Sequence, residues 1–281
     1  MTSQVATKLE QLKQQGRPAF IGYLPLGFPT LEQSVEAVLT LIDNGVDIVE
    51  LGIPYTDPVM DGPTIQAAAQ IALDNGVRPS QVFEVIERLK AERPDTPILV
   101  MTYYNPVFRY GVEKFARNLA EAGGAGLITA DLVPDQGAEW IAASNKYQLD
   151  KVFLVAPSTP PERLKMVSEA SRGFVYAAST MGVTGVRAEV GQAAEQLVQN
   201  TRNAGAEHVC VGLGVSTGEQ AKEVGRYADG VIVGSALVKP LLDDSIPWSQ
   251  RLRNLADTTN QISQGVRNAR TEANANGRIR R

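Results

Sequence analysis

Glu50 and Asp61 are the residues of this 281-residue chain best placed to move a proton. Glu50 interrupts the apolar run Val49-Glu50-Leu51-Gly52-Ile53-Pro54, which has the length and composition of a strand end. A carboxylate in a strand covered on both faces is costly to desolvate, and burial raises its pKa toward the range where it can give and take protons near neutrality. A salt bridge in a rim is the other use for a glutamate there. Asp61 lies in the loop that follows, two residues before Pro63. Proline suits the first turn of a helix, so Asp61 or Gly62 falls near a helix N-cap. Asp61 therefore either caps that helix or faces Glu50 as a second carboxylate, one serving as acid and base and the other as charge stabiliser. Asp57, between Thr56 and Pro58, suits a side-chain-stabilised turn or contact with a partner.

Further along lie three glycine-bearing segments: Met181-Gly182-Val183-Thr184-Gly185, Gly212-Leu213-Gly214-Val215-Ser216 and Gly230-Val231-Ile232-Val233-Gly234-Ser235-Ala236. Glycine lets backbone N–H groups converge, and together with a helix N-terminus such loops can cradle a phosphate; each alone is equally a turn. The segment around Thr184 reads either as a lid that excludes water or as an ordinary loop. Tyr23, Tyr103 and Tyr176 stand at strand ends, where rings either pack or wall a flat apolar pocket. The lone histidine, His208, falls at the start of a strand and takes a structural or surface role. Cys210 lies in an apolar run and reads as a buried, inert thiol; one cysteine and one histidine build neither a disulfide framework nor a transition-metal site.

The elements that must position these groups follow from periodicity. Apolar runs of strand length cover Ala19 to Tyr23, Asp47 to Gly52, Ile98 to Tyr103, Gly126 to Thr129, Lys151 to Val155, Gly173 to Tyr176, His208 to Val211 and Gly230 to Val233. Between them apolar residues recur at three-and-four spacing, as in Val35, Val38, Leu39 and Ile42. Repeated strand–helix alternation over ~250 residues predicts a closed (β/α)8 TIM barrel, whose chemistry sits at the C-terminal ends of the strands and whose phosphate site follows strands seven and eight. Asn44-Gly45, Gly123-Gly124 and Ala204-Gly205 mark helix-to-strand turns. An N-terminal helix precedes the barrel, and the second unit is extended, with helices expected at Pro63 to Asn75 and Pro79 to Glu92. One catalytic domain is expected over residues 1–264.

Residues 265–281, with five Arg against one Glu, are expected to form a disordered basic tail on an otherwise acidic chain of net charge −4. That balance argues against nucleic acid as partner. The absence of a long apolar run argues against a membrane span, and the polar amphipathic start argues against export, so the expected location is cytoplasmic. A sugar-phosphate isomerase would also use paired carboxylates and phosphate loops, and a binding subunit that mainly activates a partner is the alternative outside catalysis.

The run from Val49 to Gln66, together with Met101-Thr102-Tyr103-Tyr104-Asn105-Pro106, Gly182-Val183-Thr184-Gly185, Gly212-Leu213-Gly214-Val215-Ser216 and Val233-Gly234-Ser235-Ala236-Leu237-Val238, closely resembles the signatures of the tryptophan synthase alpha subunit. The likeness spans roughly Gly16 to Leu242. It implies a lyase of tryptophan biosynthesis that splits indole-3-glycerol phosphate into indole and glyceraldehyde 3-phosphate by a retro-aldol reaction. No cofactor or metal is implied in this subunit. The partner is a beta subunit holding pyridoxal phosphate, in an alpha2-beta2 heterotetramer. By resemblance Glu50 is the general acid and base and Asp61 stabilises positive charge at the indole nitrogen. Gly185, Gly212, Gly214, Gly234 and Ser235 hold the phosphate, Thr184 belongs to the lid, and Tyr23, Tyr103 and Tyr176 line the pocket. Asp57, Pro58 and Asn105 face the partner. Thr56, Met60 and Thr180 depart from the residues frequent in the family.

Overall fold

The computed structural model describes residues 3–178, 187–212 and 214–270. Its strands are β1 (Ala19–Pro25), β2 (Ile48–Gly52), β3 (Ile98–Thr102), β4 (Gly126–Thr129), β5 (Asp150–Val152), β6 (Leu154–Val155), β7 (Val175–Ala178), β8 (Val209–Gly212) and β9 (Gly230–Val233). All pair in parallel, in the order β5-β4-β3-β2-β1-β9-β8-β7-β6. Only Phe153 separates β5, which pairs with β4, from β6, which pairs with β7, so these two pieces form one stave and the ring closes there. The expected eight-stave parallel barrel is the fold.

Helix α1 (Gln4–Gln14) precedes β1, and α2 (Leu31–Asp43) follows it. Both α3 (Pro63–Asp74) and α4 (Gln81–Glu92) lie between β2 and β3, the expected extended unit. The remaining helices are α5 (Tyr104–Tyr110), α6 (Val112–Glu121), α7 (Ala138–Lys146), α8 (Pro161–Ala170), α9 (Arg187–Asn203), α10 (Gly218–Gly225), α11 (Ser235–Val238) and α12 (Trp248–Arg267). At the helix-to-strand turns Gly45, Gly123 and Gly205 adopt φ of 106°, 83° and 104°, where a side chain would be strained.

Strand residues alternate between two apolar bodies. One, between strands and helices, contains Phe20, Val49, Leu51, Val100 and Phe115. The other fills the barrel interior with Ala19, Ile21, Ile48, Leu99, Ile128, Val152, Phe174, Cys210 and Ile232, and α1 plugs its floor with Val5, Leu9 and Leu12. The period of two in every strand fixes which residues enter the interior, and one step further along each inward series reaches the mouth.

Three expected boundaries are corrected. The sixth stave begins at Val175 rather than Gly173, because Gly173 turns the chain at φ 98°. Tyr103 is not the last strand residue but caps α5, a short helix that the apolar spacing does not announce. Gly265, expected to open a frayed tail, lies inside α12, whose Val266 is fully buried, while Arg270 donates to the carbonyls of Gly225 and Ala228. Residues 265–270 therefore belong to the body of the fold; residues 271–281 lie outside the described part.

The reason Gly265 is glycine is the crossing of α10 and α12. A methyl group on Gly265 would run into the backbone carbonyl of Gly218, and one on Gly218 would meet the carbonyl oxygen of Gln261 at 2.6 Å. Backbone cannot give way as a side-chain end can, so overpacking here costs on the order of 1–3 kcal/mol. Gly265→Ala is predicted to lower the unfolding free energy by that amount, seen as a lower urea midpoint at an unchanged denaturant slope; an unchanged midpoint would show that the helices separate freely.

Candidate active site

A cavity of about 600 Å³ opens at the C-terminal ends of the strands. From the staves it is lined by Tyr23, Glu50, Met101, Leu154, Tyr176, Gly212 and Ile232, and just above them by Ala156, Ala178, Gly214 and Gly234. These residues continue the alternation of the interior layer, since Tyr23 follows Ile21, Glu50 follows Ile48, and Gly212 follows Cys210 at steps of two. Loop residues Met60, Asp61, Gly62, Pro157 and Ser158, with Ile65 of α3 and Ser235 of α11, complete the wall. Met101, Leu154, Ala156, Ala178 and Ile232 were not among the residues read from the sequence as site residues. The same period of two that defines the interior points to them.

Glu50 is fully buried, and neither carboxylate oxygen has a hydrogen-bond partner. Desolvation alone raises its pKa to about 8. The rim salt bridge considered from sequence is therefore not formed. Parallel pairing sets Tyr23 of β1 directly beside Glu50 of β2. Burial first, and then the negative charges of Asp61 and Glu50, push the Tyr23 phenol well above its ordinary range.

Asp61 is half-buried, and desolvation raises its pKa as well. Gly62 is the N-cap of α3 and Pro63 its first residue, so Asp61 does not cap that helix. Its backbone carbonyl accepts a hydrogen bond from Gln66 Nε2 at 2.7 Å, and its carboxyl belongs to the cavity wall beside Glu50. Two carboxyls at different depths in one apolar pocket give up their protons at different pH, the condition for dividing acid–base and electrostatic roles.

Room for the tyrosines comes from glycine. A methyl group on Gly52 would strike the Tyr23 phenol, and one on Gly212 would strike the Tyr176 phenol. Gly214, at φ 65°, faces open space, and Gly234 is the N-cap of α11, which Ser235 begins. Gly212, Gly214, Gly234 and Ser235 thus share one wall of the cavity, while Gly185 and Thr184 lie outside the described residues. Tyr103 departs from the expected grouping: its ring lies 5.2 Å from that of Tyr55 and its hydroxyl oxygen accepts from the backbone N–H of Met60 at 2.9 Å.

On the rim, the Asp57 carboxylate accepts from the Thr56 hydroxyl at 2.7 Å, and Asn105 Nδ2 donates to the Tyr55 hydroxyl at 3.1 Å. Pro58 is half-buried; next to it Val59 is 88% exposed, and Phe108 is 60% exposed on the neighbouring loop helix. His208 sits at the opposite end of the barrel, buried, with Nδ1 unpartnered. Among the described residues no group of three or more His, Cys, Asp or Glu could hold a metal ion, and no helix is long and apolar enough to cross a membrane.

Comparison with known proteins decides the family. The family model for the tryptophan synthase alpha chain matches residues 9–269. The chain belongs to the tryptophan synthase alpha chain family. It is 54% identical to the tryptophan synthase alpha chain of Bifidobacterium longum over 264 residues, 92% of this chain and 90% of that one. It is 52% identical to that of Mycobacterium intracellulare over 91% of each chain. A solved structure of Mycobacterium tuberculosis tryptophan synthase matches with a TM-score of 0.86 at 48% identity, over 95% of this chain and 99% of that one. The alpha subunit of Legionella pneumophila gives the same TM-score at 27% identity, over 95% and 100%. As a tryptophan synthase alpha chain, the protein is a carbon–carbon lyase that cleaves indole-3-glycerol phosphate to indole and glyceraldehyde 3-phosphate in tryptophan biosynthesis, and its family implies a beta-subunit partner.

The raised pKa of Glu50 makes stability depend on pH. The folded chain keeps a proton up to about pH 8 that an ordinary glutamate, at 4.5, releases. Stability tied to this group is complete below 4.5 and is lost as pH rises through about 8. Glu50→Gln, neutral at every pH, is predicted to be more stable than wild type above pH 8, by an amount on the order of a few kcal/mol that vanishes toward 4.5. Urea unfolding at both extremes checks this; a pH-independent difference would show that Glu50 titrates normally.

Proposed function

We propose that Glu50 carries both proton transfers of the retro-aldol cleavage and that Asp61 carries the charge that appears between them. Indole is a poor leaving carbanion until C3 is protonated. The neutral carboxyl of Glu50 gives its proton to C3, and positive charge develops at the ring nitrogen, where ionised Asp61 stabilises it. Glu50, now a carboxylate, takes the proton from the hydroxyl on the carbon attached to C3. The C–C bond then breaks, its electron pair restores the aromatic indole, and the oxygen becomes the aldehyde of glyceraldehyde 3-phosphate. Glu50 ends protonated, ready for the next turnover.

The observation that carries this reading is the Glu50 carboxyl, fully buried without a partner and holding its proton to about pH 8. A solvated or salt-bridged glutamate would be ionised at neutral pH and useless as the first acid. Asp61, less deeply buried, ionises first of the pair. Tyr23 and Tyr176, with Met101, Leu154 and Ile232, offer the indole ring an apolar wall. Gly212, Gly214, Gly234 and Ser235, which line the same cavity at and just beyond the ends of β8 and β9, are the proposed phosphate cradle, with Gly185 joining it and Thr184 closing over the substrate.

Indole is then handed to a beta subunit that holds pyridoxal phosphate, in an alpha2-beta2 assembly in the cytoplasm, this chain acting as one catalytic barrel without a cofactor of its own. Asp57, Pro58 and Asn105 are the proposed contacts, supported by the exposed Val59 and Phe108 beside them. Glu50→Gln is predicted to cut indole release from indole-3-glycerol phosphate by roughly 10²–10⁴-fold, with or without an added beta subunit. In wild type, kcat/KM for that release should fall above about pH 8, as free Glu50 loses its proton, and fall toward acid pH, as Asp61 gains one. Full activity of the variant, or a rise in wild-type kcat/KM above pH 8, would refute the assignment.

A further inference from the structure

We propose that Tyr103 is a positioning residue whose hydroxyl sets the place of Asp61, an inference that rests on the role given to Asp61 above. Asp61 sits on a connection between β2 and α3 in which residues 53–62 form neither helix nor strand. Something outside that loop must fix it, since a carboxylate meant to meet a developing charge has to be held within about half an ångström of its place.

Tyr103 does this from just beyond the end of β3. Its phenol oxygen accepts the Met60 N–H at 2.9 Å, and the backbone N–H groups of both Met60 and Asp61 bear on it, each favouring negative charge there. Burial outweighs them and keeps the phenol protonated, so the oxygen remains a neutral acceptor at working pH. The Met60 hydrogen bond, with the Asp61 N–H also turned toward the same oxygen, fixes the peptide unit immediately ahead of the Asp61 side chain.

The tyrosine is itself tightly held. It is only 6% exposed and is the N-cap of α5, and the N–H of the next residue, Tyr104, donates to Asp131 Oδ1 at 2.7 Å. Its ring rests on Tyr55, whose hydroxyl takes a hydrogen bond from Asn105 at 3.1 Å. The loop bearing Asp61 is thus pinned at two points, Tyr55 and Met60, to residues 103–105 after β3. Tyr103 touches neither reacting atom; it acts through the carboxylate it places.

Removing only the hydroxyl isolates this role, because Tyr103→Phe leaves the ring on Tyr55. Indole release from indole-3-glycerol phosphate is measured for wild type, Tyr103→Phe, Asp61→Asn and the double variant. Tyr103→Phe should lower kcat roughly tenfold with KM little changed, as expected for one lost hydrogen bond that matters only when charge develops. In the Asp61→Asn background the same change should cost nothing further, since the group it positions is gone. Wild-type kcat in Tyr103→Phe, or an equal loss in both backgrounds, overturns the proposal. Asp61→Asn turning over like wild type overturns instead the underlying reading of Asp61. Hydrogen exchange on the wild type adds a test independent of any variant: the Met60 amide should exchange much more slowly than that of Val59, and equally fast exchange at both would show that no such hydrogen bond holds the loop.

Discussion

A carboxyl group that has been taken out of water and given nothing in exchange governs the upper half of this barrel. Glu50 is fully buried with both oxygens unpartnered, and burial there disfavours the ionised carboxylate relative to one in water. It therefore stays neutral to about pH 8. Keeping it so requires that the surrounding residues offer no cation, and the nearest layer meets that need with Tyr23, Met101, Leu154, Tyr176 and Ile232. Glycine at positions 52 and 212 lets the two tyrosine rings lie close enough to form that wall.

The opposite end of the barrel shows what the same chain does with carboxylates that serve stability. Asp47 accepts from both nitrogens of Arg17 at 2.7 and 2.8 Å and from the Phe20 N–H. Asp229 accepts from Arg202 and from the Val209 N–H, and Asp150 from the Val5 N–H at the start of α1. Each ties neighbouring elements together at the floor. The contrast between carboxylates below that each accept at least one hydrogen bond and one above that accepts none matches the general division of such barrels into a stabilising face and a reacting face. The same sheet register provides both, since residues at steps of two along β2 run from Ile48 in the packed interior to Glu50 in the cavity.

What could be read from the sequence was what obeys a period or a backbone constraint. The staves, the doubled helix after β2, the glycines of the helix-to-strand turns and the burial of Glu50 all follow from local pattern. Local sequence leaves Asp61 between cap and catalyst because a single glycine decides it: with Gly62 as the N-cap, the Asp61 side chain is free to line the cavity. Tyr103 looked like a third pocket ring because its strand was read one residue too long; ending β3 at Thr102 turns it into the cap of α5 and sends its hydroxyl to the loop. Gly265 looked like the start of a tail because charge composition carries no trace of the α10–α12 crossing, which only three-dimensional packing reveals. Met101, Leu154 and Ile232 carry no such signal for a simpler reason: apolar residues do not advertise chemistry, even when the period places them next to it.

The account turns on whether Glu50 is a neutral acid in the folded protein, and that can be observed without turnover. Infrared difference spectra between wild type and Glu50→Gln, recorded across the pH range, report the carbonyl stretch of a protonated carboxyl separately from the carboxylate bands. The account predicts that at neutral pH the Glu50 difference signal is that of a protonated carboxyl in an apolar site, giving way to carboxylate as pH passes about 8. A carboxylate signal already present at neutral pH, with a transition near 4.5, would contradict it.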